Sequence, residues 1–126
     1  MRRIYRIGLG CVILFAPAVA VAGLSLPPIM ESWNHDQRDI RAMLEGARPY
    51  DEARVRHDLQ GFIGSASLLL RNVNGGSAEA KDFRARFAGF ASDSRALLGE
   101  VGQRSAIEAG FSRVIEDCQS CHSAYN

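Results

Sequence analysis

The sequence predicts an all-α protein, an antiparallel up-down-up-down bundle of four helices. Apolar residues recur every three or four positions after the first 25 residues, which places them on single helical faces. No stretch alternates polar and apolar residues as a half-buried strand would. The connections between the periodic segments are short, and short connections between long amphipathic helices make consecutive helices antiparallel neighbours.

The N-terminal segment differs from the rest of the chain. Its first six residues include three arginines and no acid, and no charged residue occurs in the range 7–30. The apolar run reaches Ala-Val-Ala at residues 20–22, a pattern typical of export signals that are cleaved. An uncleaved membrane anchor is the alternative, and Pro17 disfavours it. We therefore predict an export signal peptide over residues 1–22 and one domain over residues 23–126.

The charge balance bears on the class of partner. The chain has 15 basic and 14 acidic residues, and the predicted cleavage removes three of the basic ones and none of the acidic ones. The mature domain is then slightly acidic and carries no basic patch. Since such a patch is the electrostatic footprint of nucleic-acid binding, we predict no nucleic-acid partner.

The first two predicted helices are bounded by residues that favour helix ends. Pro27 and Pro28 suit a helix start, Gly46 closes the first segment, Asp51 is the predicted N-cap of the second, and glycines 75–76 stop it. The predicted inward positions of the first helix are Leu26, Met30, Trp33, Gln37, Ile40 and Leu44. Those of the second helix are Val55, Leu59, Phe62, Ile63, Ala66, Leu69, Leu70 and Val73.

The third and fourth predicted helices continue the same spacing. The third begins at Ser77 and weakens at Gly99 and Gly102, and the fourth follows Gln103. The inward positions of the third helix are Phe83, Phe87, Phe90, Ala91, Leu97, Leu98 and Val101. Those of the fourth are Ile107, Phe111, Val114, Ile115, Cys118, Cys121 or His122, and Tyr125. Both cysteines are thus predicted near the inward face of the last helix.

The last ten residues, DCQSCHSAYN, contain the motif C-x-x-C-H. A redox dithiol of the thioredoxin kind sits at a helix N-terminus, where the dipole stabilises the thiolate, whereas this pair is predicted at a helix end. A zinc site needs four ligands, and His35 and His57 do not supply a second pair at finger spacing. Covalent haem attachment uses this motif directly: two thiols form thioethers with the haem vinyl groups and the adjacent histidine binds the iron. We predict one haem c per chain on Cys118 and Cys121, with His122 as an iron ligand.

An exported four-helix chain with C-x-x-C-H in its last helix resembles the class II c-type cytochromes, the cytochrome c-prime family. The segment VIEDCQSCHSAY is similar to the final helix of that family, and GARPYDEARV is similar to its loop into the second helix. The resemblance covers essentially the whole mature chain. It implies that Cys118 and Cys121 hold the haem and that His122 is the proximal iron ligand.

The resemblance also implies the residue at the sixth coordination position. An ungapped count back from Pro-Tyr-Asp at residues 49–51 places the distal position of the family at Met30. Histidine and methionine are a recognised pair of axial ligands. The alternative interpretation is that Met30 is ordinary core filling. Met43 has a weaker claim because it lies further along the same helix, and His35 is off the inward face.

A low-spin member of this family with methionine as sixth ligand carries single electrons. The resemblance therefore implies a periplasmic electron carrier, not an enzyme, whose partners are redox proteins of the periplasm, and it allows a homodimer. The alternative is a five-coordinate, high-spin protein that binds nitric oxide or carbon monoxide.

Overall fold

The computed structural model describes residues 26–125, and these form four helices: α1 (Leu26–Leu44), α2 (Glu52–Asn72), α3 (Ala78–Leu98) and α4 (Arg104–Tyr125). These residues contain no β-strand, so the predicted all-helical class is confirmed. The predicted export signal, residues 1–22, lies outside the described part of the chain. None of the four helices is long and apolar enough to span a bilayer.

Side-chain caps set the starts of the two central helices. The Asp51 carboxylate accepts a hydrogen bond from the Arg54 backbone N–H at 3.1 Å, and the Ser77 hydroxyl accepts one from Ala80 N–H at 3.0 Å. Each bond satisfies one of the backbone donors that a helix leaves free at its first turn. The first helix begins slightly earlier than its prolines suggested, at Leu26, which places Met30 one full turn inside it.

The helices pack in chain order, α1 on α2, α2 on α3 and α3 on α4. One hydrogen bond joins the end of α1 to the start of α4, from Arg104 Nη2 to the Leu44 carbonyl at 2.9 Å. A second joins the α1–α2 and α3–α4 connections, from the Tyr50 hydroxyl to the Val101 carbonyl at 2.6 Å. The opposite end of the bundle, where α1 begins and α4 finishes, contains a mainly apolar pocket.

The core contains most of the predicted inward residues and several that spacing did not indicate. Buried members include Ile40, Val55, Leu59, Phe62, Ala66, Leu69, Phe83, Phe87, Phe90, Ala91, Ile107 and Val114. Met43 is also buried in this core, at 2% exposure. Asp39 and Asp58 are buried as well, although aspartate is rarely found inside proteins unless it is paired.

Candidate functional site

The pocket at the open end of the bundle has a volume of about 470 Å³. This lies within the range of about 300–1,000 Å³ that is usual for small-molecule and cofactor sites. All four residues predicted from the motif and the resemblance line it: Met30 from α1, and Cys118, Cys121 and His122 from α4. The other walls are mainly apolar and include Trp33, Phe62, Phe87, Phe90, Val114 and Ile115.

The C-x-x-C-H residues lie in the last two turns of α4, which continues to Tyr125. Spacings of three and four residues place Cys118, Cys121 and His122 on neighbouring positions of one helical face. The two cysteines are half-buried free thiols, while His122 is exposed at the edge of the pocket. The helical conformation therefore directs both thiols and the imidazole toward the same cavity.

The electrostatics of the thiols do not suit a redox dithiol. Burial, reinforced by the Asp117 carboxyl, raises the pKa of Cys118 to about 11. Burial also raises the pKa of Cys121, and the positive charge of Arg86 only partly opposes it. A reactive dithiol needs a lowered thiol pKa, so this alternative is disfavoured. No group of three or more His, Cys, Asp or Glu side chains within residues 26–125 is arranged to hold a metal ion.

Trp33 is the centre of the aromatic wall of the pocket. Its ring centroid lies 4.5 Å from that of Phe90 and 6.4 Å from those of both Phe62 and Phe87. These separations are typical of favourable aromatic pairs. The result is an apolar space beside the cysteines with aromatic rings along one wall.

Two buried polar atoms on the pocket wall have no hydrogen-bond partner among the described residues. They are the Trp33 indole N–H and Oδ2 of Asp117. Burial and the neighbouring Asp93 carboxyl raise the pKa of Asp117 to about 7. Both atoms are closed off from solvent, so they do not face the free space of the pocket. The donor set is what fits a haem: two thiols, an imidazole and a thioether around a mainly apolar cavity.

The two methionines of the first helix occupy different environments. Met30 is partly buried and lines the pocket, whereas Met43 belongs to the core and does not. They are thirteen residues apart, or about 20 Å along a helix. Of the remaining histidines, His35 and His57 are exposed and line neither the pocket nor the core, as their spacing predicted.

Arg86 is a pocket residue that the sequence reasoning missed. It lies on α3 directly before Phe87, and it is the only lysine or arginine among the residues that line the pocket. The periodicity of α3 gave a signal, since Arg86 follows the inward Phe83 by three residues. Its contact with α4 depends on how the two helices pack, which spacing alone does not fix.

Comparison of the chain with known protein families and with curated proteins finds no match.

Proposed function

We propose that this protein is an exported c-type cytochrome of the class II kind, which carries single electrons in the periplasm. One haem c is held by thioethers to Cys118 and Cys121, with His122 and Met30 as axial ligands. The observation that carries the proposal is that these four side chains, from two helices at opposite ends of the chain, line one apolar cavity. Redox proteins of the periplasm are the proposed partners.

The haem would supply the redox chemistry, an iron centre that gains and loses one electron. The chain holds, orients and shields it. Cys118 and Cys121 would hold the haem against α4, and the aromatic wall around Trp33 would shield it from water, while Met30 lines the pocket from α1. A methionine ligand opposite histidine favours a raised reduction potential. No catalytic acid, base or nucleophile is needed, so we propose no enzymatic turnover.

The alternative function is binding of nitric oxide or carbon monoxide at a five-coordinate haem. One observation favours it: Met30 lies only one turn from the beginning of α1, and helix ends fray more readily than helix centres. A ligand that leaves the iron readily would admit a gas molecule. Both functions share the haem, its attachment and His122.

The absorption spectrum of the purified protein in both oxidation states tests the proposal. The electron-transfer function predicts low-spin ferric haem with the weak long-wavelength band of methionine–iron ligation, and slow binding of carbon monoxide to the ferrous protein. A high-spin ferric spectrum with rapid binding of carbon monoxide would replace it with the gas-binding function.

A further inference from the structure

Arg86 is held between α3 and α4 by a small network of polar side chains. Its Nε donates a hydrogen bond to Oδ2 of Asp82 at 2.8 Å, one turn earlier on α3. Its Nη1 donates to the hydroxyl of Ser120 at 2.8 Å. The Tyr125 hydroxyl donates to the same Asp82 oxygen, and the Arg86 guanidinium carbon lies 5.8 Å from the centre of the Tyr125 ring.

This network contacts the attachment motif itself. Ser120 is one of the two residues between the cysteines of C-x-x-C, directly before Cys121. The bond from Arg86 therefore ties the turn that carries both thiols to the neighbouring helix, and Tyr125 ties the last turn of α4 to the same place. Arg86 is only 28% exposed, so its position is restricted from several sides.

The two charges of the Arg86–Asp82 ion pair differ in their exposure to solvent. The Asp82 side chain is 45% exposed, whereas the Arg86 side chain lines the pocket. Solvent therefore screens the carboxylate more than the guanidinium. The cationic member of this ion pair is therefore the one that lines the pocket, where it would lie near a bound group.

We propose that Arg86 is a positioning residue that fixes the C-x-x-C turn against α3 and raises the reduction potential of the haem. This inference rests on the proposed function. Reduction of ferric to ferrous iron adds one electron and lowers the positive charge of the haem by one. A fixed cation nearby stabilises the reduced state, and an anion disfavours it.

The test is a redox titration of the purified holoprotein, followed by its absorption, with three variants. At a fixed applied potential, Arg86→Gln should lower the ratio of ferrous to ferric protein by roughly three- to tenfold, as expected for a partly screened charge. Asp82→Asn should change the ratio in the opposite direction. Lys81→Gln is the matched control: it removes the same charge from an exposed position on the same helix and should leave the ratio nearly unchanged.

The opposite changes expected in Arg86→Gln and Asp82→Asn separate a charge effect from a loss of structure. A merely structural role would change the ratio of ferrous to ferric protein in the same direction in both variants. Equal shifts in Arg86→Gln and Lys81→Gln, or no shift in Arg86→Gln, would overturn the inference. If Arg86→Gln does not accumulate, a lowered or unchanged ratio in Asp82→Asn overturns it equally. Wild-type protein without covalent haem would instead refute the proposed function, and the two failures are therefore distinguishable.

Discussion

Met30 and Met43 are the residues whose roles the structure separates most clearly. Met30 lines the pocket and is partly exposed, whereas Met43 is 2% exposed and packs in the core. Both are methionines on one helix, so each is the natural control for the other. The proposed ligation would use Met30, whereas Met43 contributes to the packing of the core.

We predict that Met30→Ala converts the haem to high-spin and accelerates binding of carbon monoxide, because it removes the proposed sixth ligand. Met43→Ala should keep the low-spin spectrum but lower the free energy of unfolding by about 2–5 kcal/mol, since it opens a cavity in the core. Absorption spectra and urea unfolding of both variants measure the two effects. An unchanged spectrum in Met30→Ala, or a spin change in Met43→Ala, would contradict the ligand assignment.

The α1–α2 contact contains a pair of buried carboxyls, Asp39 and Asp58. Burial alone would raise the pKa of Asp39, but hydrogen bonds with Asp58 and with two arginines hold it at about 2. Arg54 Nε donates to Asp39 Oδ2 at 2.8 Å, and Arg48 donates to Oδ1. Burial and the adjacent Asp39 raise the pKa of Asp58 to about 8. The pair is therefore one carboxylate and one carboxylic acid near neutral pH.

The pKa of Asp58 makes stability depend on pH. The folded protein keeps this proton between about pH 4 and pH 8 while the unfolded chain releases it, so its contribution falls as pH rises through that window, by at most about 1.4 kcal/mol per pH unit. Asp58→Asn should remove this pH dependence. Between pH 5 and pH 8, its free energy of unfolding should therefore rise relative to that of wild type by about 1–3 kcal/mol. Urea unfolding at several pH values measures it.

Asp39→Asn is the control for this prediction. It leaves Arg48 and Arg54 without the carboxylate that they share, and should destabilise the protein throughout the range above pH 4, where the wild-type carboxylate is charged. A pH slope in Asp58→Asn identical to that of wild type would show that the Asp58 proton does not contribute.

The α3–α4 contact depends on a glycine. A Cβ at Gly110 would lie 2.5 Å from Cδ2 of Leu97, a buried side chain of α3. Gly110→Ala should therefore lower the free energy of unfolding by about 1–3 kcal/mol through overpacking. This loss exceeds the stabilisation expected from the higher helix propensity of alanine. Gly64→Ala is the matched control on α2, because no atom lies within 4 Å of a Cβ at that position. This variant should raise the free energy of unfolding by about 0.5–1 kcal/mol. Thermal unfolding compares them, and equal stabilisation of both would contradict the close approach.

At the scale of the whole molecule, the bundle is closed by hydrogen bonds at one end and contains the pocket at the other. At the closed end, Arg104 joins α4 to the end of α1, and Tyr50 joins the connections that follow α1 and precede α4. The proposed haem would fill the space between α1 and α4 at the other end, joined covalently to α4 and through iron to α1. Such a cofactor binds the folded state selectively and stabilises it.

Local signals in the sequence predicted the helices: Asp51 caps α2 as expected, and Ser77, the predicted beginning of the third helix, is the N-cap of α3. The motif also indicated which residues of α4 reach the pocket. Spacing did not predict the buried Asp39 and Asp58, because their burial depends on arginines and on each other across two helices. It also missed Arg86, whose partner Ser120 lies 34 residues away. Contacts of this kind are set by the packing of helices, which periodicity leaves undetermined.

The most direct test of the central claim is the intact mass of the denatured protein, purified from cells that attach c-type haem. We predict a mass equal to that of the chain beginning at Gly23 plus one haem, retained through acid–organic extraction because thioethers survive denaturation. A variant with alanine at both Cys118 and Cys121 should show the mass of the chain alone. Wild-type protein that shows the mass of the chain alone, or releases its haem on extraction, would contradict the account.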